Sequence, residues 1–171
     1  MLSGIIAYQV LQQESPATID RIKAVLEKHP WYTNQWQARL QDVPVADHGL
    51  VLFMQAARWP DDVRIRDRQQ NRGPWHYINW PFKPEGQPDT VQVREPDPLN
   101  ILTAMAENES VVKNGNDSER KAIALAWLFH LVGDIHQPLH TAQLFTTEYA
   151  QGDRGGNENP EKRRLPLGRT R

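Results

Sequence analysis

The segment His130-Leu131-Val132-Gly133-Asp134-Ile135-His136-Gln137-Pro138-Leu139-His140, which closes a strongly apolar run, limits what this chain can fold into. It gathers three histidines and an aspartate within eleven residues of a chain that has six histidines in all. Residues four apart on a helix stack on one face, so His130 and Asp134 converge on a single point. Ile123 and Trp127 precede them at helical spacing, so that face is apolar and both polar groups point inward. A buried carboxylate beside an imidazole is costly unless something pairs with it, and a metal ion would satisfy both. Taken alone, the two residues fit a structural hydrogen-bonded pair equally well.

The rest of the chain reads as helical pieces joined by Pro-rich connections. Leu2 to Gln13 is apolar with loose helical periodicity. Ser15-Pro16 sets a cap and a first-turn proline ahead of a helix from Ala17 to Lys28, with Ile19, Ile22, Val25 and Leu26 as its buried stripe. Asp47 or His48 can cap a helix over Gly49 to Arg58. Residues 71–98 are rich in Pro and Gly without periodicity and read as a long ordered loop, a length that usually means function or disorder. Pro98 to Lys113 forms a further helix, closed by Asn114-Gly115-Asn116. Asp117-Ser118-Glu119 then opens the helix that carries His130 and Asp134. Strand signals are scarce, so the expected class is all-α, in one domain.

Composition excludes several alternatives. A chain of 171 residues with 39% hydrophobic content can bury one core. A formal net charge of −1 argues against a broad basic nucleic-acid-binding surface, though not against a local site. The lack of cysteine removes disulfides and thiolate zinc sites. No run suits a membrane span, and the first residues lack a secretory pattern. Gln151-Gly152-Asp153-Arg154-Gly155-Gly156-Asn157 reads as a flexible polar loop. The basic stretch that follows, residues 158–171, reads as a disordered tail.

Two further clusters bear on His130 and Asp134. Trp59-Pro60-Asp61-Asp62-Val63-Arg64 follows an apolar helix and offers a carboxylate with an arginine three residues on. Trp75-His76-Tyr77-Ile78-Asn79-Trp80 sets a histidine inside an aromatic segment. Asp61, His76, His130 and Asp134 together supply two imidazoles and two carboxylates. That set suits zinc, whereas calcium or magnesium would want more oxygens. Each piece also has a plainer reading: Asp61 with Arg64 as a surface ion pair, His76 as a packed core histidine, and His136 before Gln137-Pro138 as a helix-end residue. The metal reading gains because the pieces together complete a ligand set, which no single piece does.

In order and spacing, these segments and Gly152-Asp153-Arg154-Gly155-Gly156-Asn157 resemble successive motifs of the fungal and plant single-strand nucleases. Those trinuclear zinc enzymes share an all-α fold with bacterial zinc-dependent phospholipase C. The likeness runs from the start of the chain to about Asn157, giving a nuclease domain over residues 1–157, and the His130–His140 motif is its most specific part. It implies that Asp61, His76, His130 and Asp134 hold one zinc, that Asp134 bridges to a second and that His140 contributes to a third. It implies further that Asp61 and Arg64 serve catalysis, with Arg64 on the phosphate. Tyr77 would stack a nucleobase, and Asn79 stands where the fungal enzymes usually carry a base-reading aspartate. Clustered zinc ions lower the pKa of water and neutralise phosphate charge, so the implied activity is cleavage of single-stranded DNA or RNA. The family's location is secreted or periplasmic.

Both ends depart from the pattern. The family begins with a tryptophan whose amine binds zinc, followed by a histidine, and Met1-Leu2-Ser3-Gly4-Ile5-Ile6-Ala7 looks like the residues directly after that histidine. The family also continues past its Gly-Gly-Asn loop to a His-x-x-x-Asp pair, which has no counterpart after Asn157 here. The expectation is therefore a fold incomplete at both termini. One zinc site keeps all four ligands, one keeps His140 and one keeps Asp134. Cleavage is expected to be weaker than in a complete relative. The alternatives are a truncated, non-catalytic zinc-binding chain and a phospholipase C-like phosphodiesterase.

Overall fold

A computed structural model describes residues 1–67 and 70–158. The expected disordered tail, apart from Glu158, lies outside them. Helix α1 (Leu2–Glu14) and α2 (Pro16–Leu26) meet at Ser15, with Pro16 in the first turn of α2. After irregular helical turns over 32–47 come α3 (His48–Arg66), α4 (Ile101–Asn114), α5 (Ser118–Ile135) and the single-turn α6 (Pro138–Thr141). Two three-residue strands, β1 (Trp80–Phe82) and β2 (Ala142–Leu144), pair in parallel with Trp80 opposite Ala142 and Phe82 opposite Leu144. The all-α reading holds, with this ribbon as its one addition among the described residues.

Local chemistry sets the helix starts. The Asp117 carboxylate accepts from the backbone N–H groups of Glu119 and Arg120, at 2.9 and 3.1 Å, and opens α5 as expected. Helix α4 begins later than expected, at Ile101 rather than Pro98, because Asn100 is its cap. Its side chain accepts from Leu102 and Thr103, while the Thr103 hydroxyl takes the Asn100 N–H, so two orphan donors are satisfied reciprocally. Residues 71–98 are irregular apart from one 3-10 turn (Gly73–His76) and β1.

The largest boundary difference is in α3, which runs through Pro60 to Arg66 instead of stopping at Arg58. Proline inside a helix removes the donor to the carbonyl four residues back, here Ala56. Burial outweighs that loss, for Trp59, Pro60 and Val63 all sit in the core. Helices α3 and α5 form the centre, flanked by α1, α2 and α4. Phe53 of α3 stacks on Phe129 of α5 at 5.0 Å and takes Tyr8 of α1 edge-on at 5.4 Å. Gly4 lets α1 approach closely, because a Cβ there would strike the Phe53 carbonyl. Toward the other end of α3, Trp59 and Trp127 meet edge to face at 5.9 Å. This tryptophan wall backs the site.

Candidate metal centre and cleft

Three separate elements deliver the four candidate ligands. Because α3 does not stop at Pro60, Asp61 and Arg64 occupy its last two turns rather than a loop. His76 ends the 3-10 turn, and His130 and Asp134 project from α5 at the expected four-residue spacing. The side chains converge. His76 Nδ1, His130 Nε2 and Asp134 Oδ2 form a triangle in which every edge is 2.9 Å. Asp61 Oδ1 stands 3.8 Å from His130 Nε2, and donor atoms of Asp61, His76 and His130 all lie within 4.8 Å of one another. Bonds of about 2.1 Å in a tetrahedron put ligand atoms roughly 3.4 Å apart, so this arrangement is slightly contracted on one side and open toward Asp61.

Burial is graded across the cluster. His76 and His130 are buried, Asp134 is largely so, and Asp61 sits on the rim with most of its side chain exposed. Trp127 stands edge-on to both imidazoles, at 5.3 Å from His76 and 6.3 Å from His130, and excludes water behind them. His130 Nδ1 donates to the Ala57 carbonyl at 2.9 Å. In the neutral ring that bond leaves Nε2 as a bare lone pair aimed at His76 and Asp134, the tautomer a metal ligand requires. Two carboxylates and two neutral imidazoles carry a charge of −2, which a divalent cation cancels.

The same atoms share protons when no cation joins them. Burial alone pushes the His130 imidazole down. The hydrogen bond and charge of Asp134, the Ala57 carbonyl and the charge of Asp61 together outweigh it and hold His130 above its ordinary value. Burial likewise pushes the Asp134 carboxyl up, but hydrogen bonds and charge from His130 and His76 overcome it and hold Asp134 far below the usual carboxylate range. The acid is thus ionised throughout the physiological range and available to a cation.

A cleft of about 320 Å³ opens beside the cluster, lined among others by Arg64, His76, Tyr77, Asn79, His140 and Arg154. A larger hollow of about 540 Å³ lies along the 148–158 loop and holds none of the candidate ligands, so donor chemistry rather than volume marks the site. His140 lies apart from the four-residue cluster but reaches Asp134 from the other side, with Nδ1 3.6 Å from Oδ1. Arg64 is half-exposed at the rim, 3.8 Å from Asp61. Tyr77 is partly exposed, and Asn79 adopts a left-handed backbone (φ 60°) that asparagine tolerates better than most residues. The Ile78 N–H donates to the His140 carbonyl at 2.9 Å, which ties the aromatic segment to α6. His136 closes α5, its Nδ1 donating to the Val132 carbonyl at 2.6 Å, and takes no part in the cluster.

Sequence reasoning missed two parts of this arrangement. The Ala57 carbonyl that orients His130 is a backbone group, and no side-chain motif reveals it. The Gly-rich loop expected to be flexible is instead tied to β2. The Asp153 carboxylate accepts from Leu144 and Gly156, each at 2.9 Å, and a Cβ at Gly155 would collide with the Leu139 carbonyl. The glycines at 152, 155 and 156 were the available signal, and in the structure they and Arg154 adopt positive φ angles that build a defined turn. It brings Arg154 to the cleft.

No curated protein and no solved structure gives a significant match to the chain. A family model, described as S1/P1 Nuclease, matches residues 1–162. That match spans the helical fold, the converging histidines and aspartates, and the adjoining cleft, and with it the chain belongs to the S1/P1 nuclease family.

Proposed function

We propose that the chain is a zinc-dependent phosphodiesterase acting on single-stranded DNA or RNA. Family membership implies hydrolysis of phosphoester bonds in nucleic acid. The observation that carries the finer reading is the convergence of Asp61, His76, His130 and Asp134 on one point beside a cleft with cationic and aromatic walls. Those four residues would hold the ion, and His140, facing the second oxygen of Asp134, would add a donor alongside. A bound zinc ion supplies Lewis acidity toward phosphate and acidifies water.

The chain's own residues do the rest. Arg64 offers a planar fork of donors for two phosphate oxygens, and its partial exposure leaves that fork free to turn from Asp61 toward substrate. Tyr77 provides a stacking face for an unpaired base, and the Asn79 amide can both donate to and accept from a base edge. A base within a duplex is already stacked and paired, so this geometry favours single strands without a basic groove. Secretion or periplasmic residence belongs to the same proposal and is checked by fractionating cells that make the protein.

The test is hydrolysis of a single-stranded and a duplex oligonucleotide of the same sequence, with zinc and with EDTA. Single-strand cleavage at least about tenfold faster, abolished by EDTA and restored by zinc, is the expected result. Equal rates on both substrates would remove the single-strand reading, and rates indifferent to chelation would remove the metal.

A further inference from the structure

Two of the largest exposed apolar side chains among the described residues are aromatic and follow directly on Tyr77 and Asn79, which line the cleft. Trp80 is 52% exposed and Phe82 58%, whereas Trp36, Trp59 and Trp127 are all fully buried. Large aromatic rings left in water are the informative exception in a folded protein. Both belong to β1, whose burial alternates exposed, intermediate, exposed, so the two rings project from one face of the strand. Residues two apart on a strand are roughly 6.5–7 Å apart. That is about twice the van der Waals thickness of a ring, so one planar group can enter between the two side chains. Neither ring stacks on the other or on any other ring among the described residues.

Pairing sets the position of the strand. Its register with β2 places Trp80 opposite Ala142 and Phe82 opposite Leu144, and the Phe145 N–H donates to the Phe82 carbonyl at 2.8 Å. Helix α6, which bears His140, runs directly into β2. At its other end β1 follows Tyr77 and Asn79, both walls of the cleft, and the left-handed turn at Asn79 separates their direction from that of Trp80. The exposed aromatic face is therefore continuous with the cleft along the backbone, one turn away from the ring assigned to the base at the cleavage site.

We propose that Trp80 and Phe82 form a second base-stacking subsite, which holds an unpaired nucleobase of the same strand beyond the nucleotide bound at Tyr77. This rests on the proposed action on single strands. Stacking is indifferent to base identity, because every base presents a π face, so the subsite favours longer strands over dinucleotides without adding sequence preference.

The test is binding of fluorescently labelled dT10 in EDTA, read by anisotropy, together with the KM for unlabelled dT10 in zinc. Trp80→Ala and Phe82→Ala are each expected to weaken binding and to raise KM about tenfold, with kcat within twofold of the parent, and Trp80→Tyr is expected to restore most of the loss. Val45→Ala, a substitution at an exposed apolar site outside this face, serves as the control. Unchanged dT10 affinity in both alanine variants, with the parent still cleaving, would overturn the subsite and leave the proposed function standing. Weakened binding in variants of a parent that binds but does not cleave would uphold the subsite and remove the function. A parent that neither binds nor cleaves removes both. Normal dT10 binding combined with a dimer that Trp80→Ala dissociates in sedimentation would reassign the face to a second copy of the chain.

Discussion

Two buried histidines of this protein sit in opposite electrical environments. His29 stacks on Trp36 at 4.3 Å and meets Trp59 edge-on at 4.6 Å, and its Nδ1 accepts the Trp31 N–H at 3.1 Å. Burial alone acts on it and lowers its pKa to about 3. His130 is similarly buried, yet Asp134 and Asp61 raise it above its ordinary value. The two rings are joined through two tryptophans: Trp59 touches His29 and Trp127, and Trp127 touches His130. Burial therefore says little about what a histidine does here. The carboxylates around it decide, and they turn one ring into packing and the other into a candidate ligand.

The largest expected effect separates the two directly. Asp134→Asn or His130→Ala should abolish zinc retention through gel filtration, a loss of at least about a hundredfold in affinity, since each removes a donor from the four-residue set. His29→Phe should keep zinc at the parent's stoichiometry and lose about 1 kcal/mol for the Trp31 hydrogen bond. Metal analysis of the three purified variants checks this, and zinc loss in His29→Phe equal to that in His130→Ala would erase the distinction.

Acid should act on the two rings with opposite sign. The unfolded chain protonates a histidine near pH 6.5, but folded His29 stays neutral to about pH 3. Its contribution to stability is whole above pH 6.5 and falls by up to about 1.4 kcal/mol per pH unit between those values. His130, raised in the fold, contributes in the metal-free protein below pH 6.5 and loses that contribution as pH rises through its folded value. Metal reverses the His130 dependence, because the cation must displace its proton, so zinc affinity should rise with pH through and above 6.5. Denaturant melts of the metal-free protein between pH 4 and 8, with and without His29→Phe, isolate the first term. Competition titrations with a zinc indicator give the second, and an affinity flat with pH would contradict it.

Smaller effects sharpen the outer shell. Arg64→Ala should leave zinc bound and lower kcat/KM on single-stranded DNA by about a hundredfold, the usual scale for one lost charged donor to a transition-state oxygen. Arg64→Lys should recover only part of this, since an ammonium cannot make the two parallel bonds of a guanidinium. His136→Ala should retain zinc and cost only about 0.5–1 kcal/mol, measured by thermal melting, because its ring only caps the end of α5. Zinc loss in His136→Ala would mean that the end of α5 holds Asp134 more loosely than its hydrogen bonds suggest.

Several of these features are legible in the sequence alone. The four-residue spacing of His130 and Asp134 survives folding because helix geometry is local, and Asp117 caps α5 through bonds to its own neighbours. The all-α class followed from periodicity for the same reason. Pro60 misled, because its local cost is visible in sequence while the burial of Trp59 and Val63 that offsets it is not. The order of the 152–157 loop is hidden from the sequence for the same reason, since it comes from Asp153 reaching β2.

By itself the sequence determined the inventory: two imidazoles and two carboxylates in segments long separated along the chain, aromatic residues around His76, and one helix face able to bury a polar pair. Those are properties of residue type and short spacing, where local geometry leaves few choices. Only the tertiary structure decided that α3 carries Asp61 to the edge of the cluster, that the Ala57 carbonyl selects the His130 tautomer, and that Trp80 and Phe82 face water beside the cleft. Each depends on contacts between residues far apart in sequence. His130 and Ala57 are separated by 73 positions and joined by one bond of 2.9 Å, a distance that packing of α5 against α3 sets and no local rule contains.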